Sequence, residues 1–169
     1  MGRIITTDNN DMFAKPKKQI TEQEALLKLS ALCSQAEHSS GEMMDKMRRW
    51  MLPADVAERI LDRLLDEHFI DDERFARFFV RDKIRFDRWG RRKIEQALYK
   101  KGVASDISQR VLDAVPADDY IEILRQLIAA KRRTLKADSD YELNCKLRRF
   151  AMGRGFDMDV IRKCVDIPL

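Results

Sequence analysis

Three segments of the chain carry one apolar pattern, and that pattern limits the fold more than any other feature. Residues 42–64, 93–115 and 146–167 read EMMDKMRRWMLPADVAERILDRL, KIEQALYKKGVASDISQRVLDAV and KLRRFAMGRGFDMDVIRKCVDI. In the middle segment Ile94, Leu98, Val103, Ile107, Val111 and Leu112 fall at helical spacing on either side of one turn. The matching positions are Met43, Met47, Leu52, Val56, Ile60 and Leu61 in the first segment, and Leu147, Ala151, Phe156, Val160, Cys164 and Val165 in the third. Every one is apolar. Recurrence of this kind marks tandem helical units rather than one irregular bundle. The turn holds Gly102 and Gly155 in the second and third segments, a residue type that takes positive φ and ends a helix. The first segment has Met51 there and Pro53 just beyond, so its turn is expected to be made differently, with Pro near a helix start.

Each segment follows another amphipathic stretch, over 21–37, 71–88 and 118–136. The expected architecture is therefore all-α: three tandem three-helix repeats forming an elongated, curved array. The units are expected at 20–70, 71–115 and 116–169, behind a flexible tail at 1–19 that mixes Asn, Asp, Lys and Pro without periodicity. With 6 Gly and 4 Pro in 169 residues, breakers are too few for a turn-rich β fold. No apolar run approaches the roughly 20 residues that span a bilayer, and the N-terminus lacks a secretory h-region. Cys33, Cys145 and Cys164 lie far apart among helix formers, which reads as buried free thiols in a reducing cytoplasm.

Chemistry for catalysis is not legible. There is no phosphate-cradling glycine loop and no nucleophile elbow, and neither His38 nor His68 stands beside a plausible nucleophile. Neither zinc nor calcium spacing occurs, so no metal and no cofactor is expected. The triplet Asp71-Asp72-Glu73 reads as a helix start: Asp71 as N-cap, two acids in the first turn, and Ile70 stapled to Phe75.

Charge is the remaining signal. Residues 21–70 hold 10 acidic and 6 basic groups, net −4, whereas residues 71–115 hold 8 and 12, net +4. On a helix over 71–88, Arg74, Arg77, Arg81, Arg85 and Arg88 share one line, with Phe75, Phe79, Phe86 and Ala76 opposite. Arg91, Arg92 and Lys93 continue the basic run, and Arg132, Arg133, Arg148 and Arg149 add a second cluster. Guanidinium suits two-pronged capture of carboxylate or phosphate. The expected partner is an extended polyanion or an acidic protein surface; a solvated face is the plain alternative. Trp89 reads as a packing anchor at a helix junction before it reads as a base-stacking platform.

FIDDERFARFFVRDKI followed by WGRRKIEQALYKKGV resembles the signature of the RecX family, bacterial regulators of the RecA recombinase. The residues that carry it are Ile70-Asp71-Asp72, Phe75-Ala76, Trp89-Gly90 and Lys101-Gly102-Val103, with LRRFAMGRGF in support further on. The resemblance implies three tandem three-helix repeats and a non-enzymatic role; a cytoplasmic monomer is expected besides. It also implies a place in the groove of the RecA–DNA filament, where ATP hydrolysis, coprotease activity and strand exchange are restrained, with some direct binding to DNA. The alternative is a stand-alone, non-specific DNA-binding helical protein using the same cations.

Overall fold

The computed structural model describes residues 19–165. The tail expected over 1–19 lies, but for its last residue, outside them. The described residues form nine α-helices and no strand: α1 (Glu22–Gln35), α2 (Ser40–Arg49), α3 (Ala54–Asp66), α4 (Asp72–Arg85), α5 (Arg91–Lys100), α6 (Ser105–Asp113), α7 (Ala117–Arg132), α8 (Asp140–Gly153) and α9 (Met158–Cys164). Four starts are set by side-chain caps. Thr21 and Ser39 form capping boxes with Glu24 and Glu42, while Asp71 and Ser139 accept from Arg74 N–H and Glu142 N–H. Each such cap is worth about 1 kcal/mol. The helices α3, α6 and α9 begin at Pro53, Ala104 and Asp157 without a side-chain cap, so burial holds them instead.

Burial is where the repeat expresses itself. In each unit the first two helices pack on the third: α1 and α2 on α3, α4 and α5 on α6, α7 and α8 on α9. None of the eighteen repeated apolar positions is exposed; all are buried or half-buried in the cores. A further repeated position sits beside them, occupied by Ala57, Ser108 and Ile161, and it too is buried in every unit. Ser108 broke the apolar pattern there, and its hydroxyl has no hydrogen-bond partner. A buried unpaired hydroxyl costs about 1–3 kcal/mol. Ser108→Ala, which copies Ala57, is expected to raise the urea midpoint by an amount equal to about 1 kcal/mol, and an unchanged midpoint would show that the hydroxyl is satisfied.

Among the described residues the cores number two, not three. Ala25, Leu29, Met43, Met47, Ala57, Ile60, Leu64 and Ile70 form one, in the first unit. A second, continuous core runs through the second and third units, from Phe75 to Val165. Ile70 and Phe75 therefore fill different cores, and the staple expected between them does not form.

Turns also join consecutive units. Gly41, at the start of α2, lies on the α5–α6 turn, where a Cβ on it would overlap Lys101 O and Gly102 Cα. Gly90, at the start of α5, lies on the α8–α9 turn, where a Cβ would overlap Gly155 C and Phe156 N. The hydrogen bonds correspond: the Ser39 hydroxyl donates to the Lys101 carbonyl, and the Gly90 N–H donates to the Arg154 carbonyl (2.8 Å).

The first unit's turn departs from expectation. Met51 takes φ 56, beside φ 71 for Gly102 and φ 87 for Gly155. The N–H groups of Leu52, Val103 and Phe156 bond back to Met47, Leu98 and Ala151 carbonyls in the same helix-closing pattern. All three turns are thus alike in backbone. Pro53 serves as N-cap of α3, where Ala104 and Asp157 cap the equivalent helices. Glycine is dispensable at Met51 because, among the described residues, no neighbouring unit presses on that turn: Met51 is exposed, whereas Gly102 meets Gly41.

Candidate binding surface

The acidic triplet that opens α4 works at two helix starts. Asp71 caps α4 itself, its Oδ1 2.9 Å from Arg74 N. Asp72 reaches back to the first unit and accepts from the Ser40 N–H at the start of α2 (2.7 Å). Glu73 pairs with Arg77 (2.5 Å) and Arg110 (3.5 Å). Around Asp72 the junction of the first two units is polar. Arg74 bonds Glu37 (2.6 Å), and Lys101 bonds Glu42, which His38 also meets (3.3 Å). Burial pulls the Glu42 carboxyl upward, but the Lys101 ammonium, the Ser39 N–H and His38 outweigh it and hold it below its ordinary value.

The five arginines are not equivalent. Arg77, Arg81 and Arg85 are exposed along α4. Arg74, half-buried against Glu37, ties the units together. The helix ends at Arg85, and Arg88 lies beyond it with φ 52, off the line predicted for a helix reaching residue 88. The same early ending moves Phe86: expected opposite the arginines in the core, it is the C-cap and is 71% exposed. Arg85 lies over its ring (5.5 Å), as Arg81 lies over that of exposed Phe78 (5.0 Å). The exposed face of α4 thus alternates guanidinium and phenyl groups.

Arg91 is half-buried and bonds Asp113 (2.5 Å), and Arg92 approaches Asp157 (3.7 Å). Lys93 (4.5 Å) and Lys83 (4.8 Å) both lie over the Trp89 ring, which packs on the second core. Trp89 is the packing anchor expected. Arg132 and Arg133 close α7, and Arg148 and Arg149 lie on α8, all in the third unit. Of the sequence-derived set, the structure brings Arg77, Arg81 and Arg85 into one exposed row and assigns Arg74, Arg91 and Lys93 to packing contacts. Sequence reasoning missed Gly41 and the cross-unit partners of Gly90 and Asp72.

Among the described residues no group of three His, Cys, Asp or Glu side chains could hold a metal, and no helix is long and apolar enough to cross a membrane. The three cysteines are free and half-buried, and burial pushes the thiols of Cys33 and Cys164 up.

Nine helices in three-helix units with a cationic aromatic face define an all-α helical-repeat protein. A family profile described as "RecX, second three-helix domain" matches residues 71–112, and one described as "RecX, third three-helix domain" matches 118–165. "Regulatory protein RecX" of Chlorobium limicola is 31% identical over 86% of this chain and 89% of its own length. That of Acinetobacter baylyi is 30% identical over 80% and 82%, and that of Clostridium perfringens 32% identical over 73% of this chain but 58% of its own length. The crystal structure of RecX from Lactobacillus salivarius superposes with a TM-score of 0.77, at 21% identity, over 85% of this chain and 94% of that one. The chain belongs to the RecX family of regulatory proteins.

Proposed function

We propose that this protein is a non-enzymatic regulator that binds the RecA–DNA filament in its groove and restrains ATP hydrolysis, coprotease activity and strand exchange. Family membership supports the regulatory role, since the relatives carry the name regulatory protein. The observation that carries the reading is the row Arg77, Arg81 and Arg85 on α4, exposed and set beside two exposed phenyl rings. A row of fixed cations complements a polyanionic groove and raises the rate of encounter with it. In this reading the units 20–70, 71–115 and 116–169 are successive docking modules along the filament, and the protein acts as a cytoplasmic monomer.

The test is retention on recombinase assembled on single-stranded DNA, with DNA-dependent ATP hydrolysis measured in parallel. Substoichiometric protein is expected to be retained and to slow hydrolysis. No effect at saturating protein and low salt would overturn the reading. Affinity for naked DNA, measured against salt, separates it from a stand-alone DNA-binding protein: phosphate neutralisation gives a slope of about −0.9 per contact on duplex DNA. Shallow, weak binding to DNA beside tight binding to the filament favours the regulator.

A further inference from the structure

Beside the arginine row the surface is not flat. A groove of about 310 Å³ runs between α4 and the α6–α7 turn. Its floor is aliphatic: Val80 and Val111 are buried, Ile84 and Val115 half-buried, and Ala114 and Pro116 lie open at the far wall. The groove exists because α6 stops at Asp113 and the chain turns through Ala114 to Pro116 before α7. A single methyl at Ala114 leaves space that a longer side chain would fill. The rim on the α4 side is Arg77, Arg81 and Arg85.

We infer that this groove recognises protein rather than nucleic acid, and that its occupant is a short acidic segment carrying aliphatic side chains. Phosphates would meet the guanidinium rim but leave the aliphatic floor wet. Bases would call for an aromatic plane, and the floor has none; Phe78 and Phe86 are outside the groove's lining. An aliphatic side chain from a partner removes the floor from water, and carboxylates beside it reach the three guanidiniums. Charge fixes the polarity: Asp119 lines the opposite side, so the carboxylates belong on the α4 side. From Arg77 to Arg85 the rim runs about 12 Å at the helical rise, room for two turns of helix or a few extended residues. Apolar anchors ringed by charge are a common form of peptide-in-groove recognition.

This deepens the filament reading by naming what the row contacts, and it rests on that reading only for where such a segment occurs. Its test needs no recombinase. A fluorescent peptide of roughly twelve residues, about three helical turns, built of Asp, Glu and spaced Leu, is titrated with the whole protein and read by anisotropy. Binding is expected, about tenfold weaker when the leucines are replaced by serine. Ala114→Glu and Ala114→Trp, which fill the groove at an exposed position, are each expected to weaken binding about tenfold, with the urea midpoint unchanged. An oligothymidylate of equal charge is expected not to displace the peptide. Absence of binding, equal affinity for the serine peptide, full displacement by the oligothymidylate, or unchanged affinity in both Ala114 variants would each overturn the assignment. A filament inhibited by a protein that ignores the peptide would sink the groove alone; peptide binding without filament binding would sink the filament reading alone.

Discussion

Gly90→Ala is expected to cost about 3 kcal/mol and to loosen the junction of the second and third units. The backbone itself tolerates alanine, since Gly90 has φ −80 and ψ 165. What forbids the methyl is the α8–α9 turn, whose backbone atoms at Gly155 and Phe156 occupy its place. Overpacking costs about 1–3 kcal/mol, and the upper end applies where the obstacle is backbone that cannot rotate away. Separation would also break the bonds from Gly90 N–H to Arg154 and from Arg92 N–H to Gly155. Urea unfolding measures the loss, and a cost under about 1 kcal/mol would mean that the turn yields. The reverse experiment is Met51→Gly. Left-handed backbone costs a residue with Cβ about 1–2 kcal/mol, and glycine removes that strain while loosening the unfolded chain, leaving a gain of about 1 kcal/mol. Alanine at Gly90 and glycine at Met51 thus move stability in opposite directions, because one adds a methyl where a neighbouring turn sits and the other relieves a left-handed backbone.

Replacing Arg77, Arg81 and Arg85 together with glutamate is expected to lower affinity for the filament at least tenfold, or about 1.4 kcal/mol, with far-ultraviolet circular dichroism unchanged. The three side chains are exposed, and their nearest acids are Glu73 for Arg77 and Asp82 for Arg81 (3.8 Å). Exposed ion pairs of this kind hold about 0–1 kcal/mol each, so the helix survives their removal. Reversal exchanges attraction for repulsion along the whole row, and the loss should grow as salt is lowered. Wild-type affinity in the variant would remove the row from the account of function. Arg74→Glu is a different experiment, since it breaks the Arg74–Glu37 bond between units and confounds binding with stability.

The repeat was legible because burial repeats: an apolar position at helical spacing records the core whether or not its neighbours are known. Ser108 marks the limit of that signal, since a polar residue at a buried repeated position looks like a solvent-facing one. The helix starts were legible for a similar reason, with Asp71 capping its own helix three residues away. Asp72 was not, because the N–H it meets belongs to Ser40 in another unit. The arginine row was read from periodicity, which presumes a helix to residue 88. The helix stops at Arg85, so Arg88 and Phe86 leave the wheel together. Arg74 kept its place on the wheel and lost its freedom to Glu37, a partner no periodicity shows. Gly41 had one sequence trace only, glycine at a helix start with no turn to explain it, and Gly90 stood out in the Trp89-Gly90 pair without its partner turn being legible.

The division of the core into two has a mechanical consequence. Between the second and third units, bending the array pulls apart a shared apolar interior and exposes it to water. Between the first and second, the close approach of Gly41 to the α5–α6 turn is joined by hydrogen bonds and ion pairs at Ser39, Ser40, Glu37 and Glu42, polar bonds that water can replace at little net loss. The array is therefore expected to be stiffer over its last two units than at the junction with the first. In the proposed filament reading, that junction is where the chain is expected to yield to a change of pitch.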